Sequence, residues 1–129
     1  MAKKEQTPNW LSAPHVSFVS MGRGHELAVC WTDGFPHPVG LVWGIVYYDA
    51  KGAPAMWETA YSYVLPAARR HGIRTFIDAQ IFAQLKVDVI RTTDGSAEGG
   101  AAYLRKHYKR IEAASCWART RPKPKRRKR

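Results

Sequence analysis

One stretch near the middle of the chain has the residue types to hold an anion: Pro66-Ala67-Ala68-Arg69-Arg70-His71-Gly72-Ile73-Arg74-Thr75-Phe76-Ile77. A proline ends what precedes it, a short basic loop follows, and an amphipathic run begins at the glycine. The first turn of an α-helix leaves backbone N–H groups unpaired and lies at the positive end of the helix dipole. Gly72, without a Cβ, lets the backbone come close to a phosphate. Arg69, Arg70, His71 and Arg74 add positive charge around that point. From these residues alone two readings stand: a phosphate-binding loop, or a basic surface loop leading into a helix. Other chemistry does not assemble. His15, His25, His37, His71 and His107 are scattered without ligand spacing, so no metal site is expected. No serine occupies a G-x-S-x-G elbow. Cys30 and Cys116 form no C-x-x-C pair, and one optional pair is not a disulfide scaffold. A reducing cytoplasm is therefore the expected compartment.

The elements that must carry this loop can be read from periodicity and turn signals. Val16–Met21 and Glu26–Thr32 are expected strands around the turn Gly22-Arg23-Gly24. The turn-rich run Asp33-Gly34-Phe35-Pro36-His37-Pro38 separates them from Val39–Tyr48, apolar on both faces and so central in a sheet. Met56–Leu65 is the fourth strand. Simple alternation puts Tyr61, Tyr63 and Leu65 on one face and Ala60, Ser62 and Val64 on the other. Ile73, Phe76, Ile77, Ile81 and Leu85 then recur at helical spacing and predict a helix from about Gly72 to Leu85. Val87–Thr92 is a fifth strand, and Asp94-Gly95-Ser96 offers a cap for a helix over Ala97–Tyr108. Ile111–Ala118 is the last strand. The expected class is α+β: a mixed, mostly antiparallel sheet with a strand-helix-strand crossover that sets strands four and five parallel. Trp31, Trp43, Tyr47, Tyr48 and Trp57 fall within strands and are expected in the core rather than on a base-stacking platform.

Composition supports one globular domain. The 129 residues are 45 % hydrophobic, 12 % aromatic and 24 % charged, which excludes a wholly disordered chain. No apolar run reaches the roughly 18 residues of a spanning helix. Met1–Gln6 leads into no apolar stretch, so no secretory leader is expected. The net charge of +11 is unevenly placed: Arg119–Arg129 holds 8 basic residues and no acid, leaving +3 on the remainder. The expected organisation is a flexible arm over 1–14 with Trp10 and Leu11 as its anchor, a domain over 15–118, and a disordered basic tail over 119–129. Such a tail suits nucleic acid, another polyanion, an acidic protein partner or an import address.

The loop, with its position after the fourth strand, resembles the acetyl-CoA pyrophosphate loop of the GNAT superfamily of N-acetyltransferases, V-x-P-x-x-R/Q-x-x-G-x-G/A. Val64, Pro66, Arg69 and Gly72 match in register, and Arg74 stands where the family has a final Gly or Ala. The Arg74 side chain would either crowd the pyrophosphate or turn away and add charge. The order of elements over about residues 26–118 follows the family as well. The resemblance implies a GNAT-like fold and acetyl-CoA as cosubstrate. It places Tyr63 and Val64 along the pantetheine arm, the amides of His71, Gly72, Ile73, Arg74 and Thr75 on the pyrophosphate, and Arg69 and Arg70 beside it. It also implies Glu58, on the fourth strand eleven residues before Arg69, as general base; the plainer reading is a solvent-facing glutamate. Tyr103 is the implied acid, in Tyr103-Leu104-Arg105-Lys106-His107-Tyr108-Lys109 against the family's F-Y-x-K-x-G-F. Lys106 matches, but Leu104 takes the tyrosine position and Tyr103 lies about 100° around the helix from it. A core tyrosine is the plainer reading there, and Tyr108 is a second option for the acid. The family also inserts two helices between its first two strands, where this chain has only Gly22–His25.

Three readings follow. The first is a compact acetyltransferase acting on a primary amine, with Glu58 and Tyr103 as acid–base pair. The second is a GNAT-like fold without turnover, a structural or interaction protein of a virion or nucleoprotein assembly, engaging nucleic acid or an acidic partner through its tail. The third is a basic nucleic-acid module whose loop holds phosphate backbone. Calorimetry with acetyl-CoA separates the first two from the third.

Overall fold

The computed structural model describes residues 8–93, 100–111 and 116–122. Seven strands form one sheet: β1 (His15–Gly22), β2 (His25–Thr32), β3 (Phe35–Tyr48), β4 (Pro54–Val64), β5 (Val89–Thr93), β6 (Lys109–Ile111) and β7 (Cys116–Thr120). Helix α1 (Ile73–Leu85) joins β4 to β5, and α2 (Gly100–His107) lies between β5 and β6. The strand order is β1-β2-β3-β4-β5-β7-β6, with β4 and β5 parallel and every other pair antiparallel. This is the mixed α+β sheet that the periodicity predicts, crossover included.

Both helices serve one face of the sheet. Ala28, Cys30 and Thr32 of β2, Val42 and Val46 of β3, Trp57 and Thr59 of β4 and Ile90 of β5 are buried, as are Ile73, Ile77, Ile81 and Phe82 of α1 and Leu104 of α2. A side chain on Gly40 would meet Ile73 and Ile77, which sets α1 directly over β3. Trp57 is the largest side chain of the core. Its ring lies against Gly44, where any Cβ would overlap the indole, and its Nε1–H donates to Thr59 Oγ1 at 2.9 Å.

Three expectations need correcting. β3 begins at Phe35, inside the predicted turn. Pro36 and Pro38 are tolerated because they fall between the paired residues Phe35 and Gly40, opposite a register shift in β2 where no regular ladder asks for their N–H groups. The single last strand over Ile111–Ala118 is two antiparallel strands, β6 and β7, with residues 112–115 outside the described set. The basic tail starts later than Arg119. Arg119 and Thr120 belong to β7, the Arg121 N–H donates to Asp88 O at 2.8 Å, and the Arg121 guanidinium donates to Val87 O at 3.0 and 3.1 Å. At the other end the expected anchor is in place: Leu11 is buried, Trp10 packs on Phe35 at 5.2 Å, and the Trp10 carbonyl accepts from Thr32 Oγ1, while residues 1–7 lie outside the described set. The predicted cap Asp94–Ser96 and the start of the second helix at Ala97 lie outside the described residues.

Candidate functional site

The site begins with a break in regular pairing. On the β3 side, Trp43 pairs with Tyr61 and the next residue, Gly44, pairs with Thr59, so Ala60 is an extra residue in β4. Such a bulge bends the strand and increases its twist. On the β5 side, pairing runs from Met56 with Val89 to Thr59 with Thr92 and stops there. Beyond Ala60, β4 continues with β3 as its strand neighbour among the described residues. β5 itself ends at Thr93, so among the described residues the split is the stretch of β4 from Ala60 to Val64 that has no strand beside it on the β5 side. A split strand edge presents backbone N–H and C=O groups that an extended, amide-bearing molecule can pair with.

The basic loop closes one end of that split. Leu65 N–H donates to Val39 O at 3.0 Å, and Pro66–Ala68 makes one 3₁₀ turn. Arg69 turns back, its Nε donating to Val64 O at 3.0 Å and its guanidinium lying 5.8 Å from the Tyr63 ring centre. That carbonyl keeps a second lone pair for another donor. Arg70 is exposed and His71 half-buried. Gly72 caps α1 with φ +80°, a left-handed conformation that disfavours side chains, and the position a Cβ would take opens on free space. The first helical bond runs from Phe76 N–H to Gly72 O at 2.9 Å, so the amides of Ile73, Arg74 and Thr75 precede it and have no acceptor within the helix. The first turn contains no acidic residue. The result is an open, electropositive amide cradle.

Arg74 turns away from this cradle. Its Nε lies 3.1 Å from Oδ1 of Asp78, one turn along α1, and its guanidinium sits 5.4 Å from the Tyr103 ring centre. It leaves the Gly72 opening clear, but its charge is spent on Asp78 and does not serve the cradle as expected. Asp78 is the residue that sequence reasoning missed. It is fully buried and accepts from Tyr103 Oη at 2.7 Å and Tyr108 Oη at 2.6 Å, with Arg119 Nη1 at 3.8 Å. The available signal was an acid beside Ile77 on the apolar stripe of the helix, four residues after an arginine. Burial, and then the neighbouring Asp78 charge, push both phenols well above the usual tyrosine range. Burial works against the Arg74 charge, but the Asp78 carboxylate outweighs it and holds the guanidinium protonated.

The expected acid–base pair is not brought together. Glu58 stands between Trp57 and Thr59, which both face the helices, so its side chain takes the opposite face, beside Ile45 and Arg91. Tyr103 lies on the helical face with its hydroxyl proton committed to Asp78. Tyr108, the second option, is committed in the same way. Cys30 is buried with its thiol pushed up to about 11 by desolvation, which removes it as a nucleophile. Among the described residues no group of three or more His, Cys, Asp or Glu could hold a metal, and no helix is long and apolar enough to cross a membrane.

No protein-family model matches the sequence, and no curated protein matches it. Solved structures do. An acetyltransferase of the GNAT family from Staphylococcus aureus superposes with a TM-score of 0.58 at 14 % identity, over 76 % of this chain and 68 % of that one. A ribosomal-protein-alanine N-acetyltransferase from Brucella melitensis gives 0.48 at 20 % identity, over 65 % of this chain and 61 % of that one. The sheet order, the split after β4 and the loop that opens α1, together with the first of these superpositions, identify the architecture as the GNAT acetyltransferase fold in a compact form.

Proposed function

We propose that this protein is an acetyl-CoA-dependent N-acetyltransferase acting on a primary amine. The observation that carries the reading is the stretch of β4 from the Ala60 bulge to Val64, which runs on without pairing to β5 among the described residues and leads into the uncapped amides of Ile73, Arg74 and Thr75. The backbone of Tyr63 and Val64 would receive the amide-bearing arm. The amides from His71 to Thr75 would hold the diphosphate, with Arg69 and Arg70 close by; Gly72, open on its Cβ side, puts nothing in the way. Acetyl-CoA supplies an acetyl group already activated as a thioester. Glu58 would accept the proton that the amine loses on attack. Tyr103 and Tyr108 keep their protons on Asp78, so in this reading the departing thiolate takes its proton from water, not from Tyr103.

Calorimetry with acetyl-CoA tests the reading. Micromolar binding is expected, and the double change Arg69→Glu/Gly72→Glu should abolish it while the fold persists. Acetylation of a small amine panel, read as a mass increment, should then fall at least tenfold in Glu58→Gln. Failure to bind the thioester at millimolar concentration would sink the proposal. A second reading, cofactor binding without turnover in a structural or interaction protein, is favoured by the tight β1–β2 hairpin, which leaves no helices to frame an acceptor. Binding without any mass increment would select it.

A further inference from the structure

We propose that the face of the sheet opposite α1 and α2 binds single-stranded nucleic acid. Both described helices pack on the other face, and the outward residues of β1 to β4 lie in register as continuous rows: Val19, Leu27, Trp43 and Tyr61 in one, Ser17, Val29, Leu41 and Tyr63 in the next. Four exposed aromatic rings stand on this face, Trp43, Tyr47, Tyr61 and Tyr63, at 36 to 55 % exposure, with Trp31 half-buried on the same side. That overturns the expectation that Trp43 and Tyr47 lie in the core, and Tyr48, expected there too, is 58 % exposed. Residues alternating along a strand are about 6.6 Å apart and neighbouring strands about 4.8 Å, so these rings stand at spacings on the scale of successive unstacked bases. The Trp43 Nε1–H already donates to His25 Nδ1 at 3.3 Å, and the two rings stack at 5.8 Å. The indole is thereby held in place with its donor satisfied, and its outer side is left for a planar partner.

Charge decides the occupant. Glu58 is the one acid among the outward residues of the described β1 to β5, and the chain carries +11. A second copy would bring two positive chains together, six of the basic residues of each lying in 123–129. A phosphodiester chain instead exchanges its condensed counterions for those charges. Duplex DNA hides its base faces, so the platform selects single strands. This inference does not rest on acetyl transfer, although Glu58 lies on the same face.

The test is fluorescence anisotropy of a labelled oligothymidylate with the full chain, across a salt series. Trp43→Ala and Tyr61→Ala should each weaken binding about tenfold, the low end of the loss of a stacked base. The slope of log K against log salt should not change, because no phosphate contact is removed. Trp43→Phe and Tyr61→Phe, which keep a π face, should bind within about threefold of the parent; they also guard against alanine variants that lose their fold. Trp43 emission should be quenched on binding. Alanine variants that fold and bind like the parent would overturn the proposal, as would equal competition by duplex. A sedimenting dimer that becomes monomeric in Trp43→Ala would overturn it in favour of a second copy on this face.

Discussion

Asp78 organises more of the molecule than any other single polar residue described. One fully buried carboxylate accepts two phenols and faces two guanidinium groups, and through them it ties α1 to α2 and to β7. Removing one partner of such a set leaves buried charge and donors uncompensated. Asp78→Ala is expected to cost about 3–5 kcal/mol in urea unfolding, and Tyr108→Phe only about 1 kcal/mol. A loss below about 1 kcal/mol for Asp78→Ala would show that the cluster adds little. Alkaline pH tests the same interior. Cys30 has its folded pKa raised from about 9 to about 11, and the Tyr103 and Tyr108 phenols are raised as well. A raised folded pKa means that the folded chain keeps a proton which the unfolded chain releases. The associated stability is complete below about pH 9 and is lost as pH climbs through about 11. Urea midpoints should therefore fall steadily over that window, less steeply in Cys30→Ala, and Cys30 should resist thiol reagents until the protein unfolds.

The decisive event at the scale of elements is one extra residue in β4. Strict alternation puts Tyr61 and Tyr63 on the same side as Trp57 and Thr59, which would bury all four. The bulge at Ala60 reverses the faces: Trp57 and Thr59 are buried, Tyr61 and Tyr63 are exposed, and pairing with β5 ends at Thr59. Trp57 anchors the strand just before the bend by lying over Gly44 of β3. Gly44→Ala would force its methyl into the indole and should destabilise the protein by about 1–3 kcal/mol, read by thermal or urea unfolding. A neutral outcome would mean that Trp57 can move, and that the bend does not depend on it.

For the molecule as a whole, the boundary between body and basic extension lies after β7. Arg119 approaches Asp78, and Arg121 bonds Val87 and Asp88, so both arginines work for the fold; six of the basic residues lie beyond Pro122. Ending the chain after Pro122 should leave the melting temperature within about 2 °C while lowering the net charge by six. Ending it after Ala118 should cost about 2–3 kcal/mol through the lost charge-assisted bonds to Val87 O. Equal melting temperatures for the two truncations would refute this division.

What the sequence determined by itself was local. The order of elements from β1 to α2, the parallel crossover and the Pro66–Gly72 entry to α1 all follow from short-range periodicity and turn chemistry, which act over a few neighbouring residues; the two-stranded end of the sheet does not. Only the tertiary structure decided the rest. The bulge arises from how β4 meets β3 on one side and β5 on the other, and no residue within β4 announces it. Asp78 meets Tyr103 and Tyr108 across 25 and 30 residues of chain, a proximity no spacing rule contains. An apolar strand residue, finally, records only that its side chain suits burial. Whether a second layer exists to bury Trp43, Tyr47 and Tyr61 depends on where the helices pack, and in the described structure both pack on the other side.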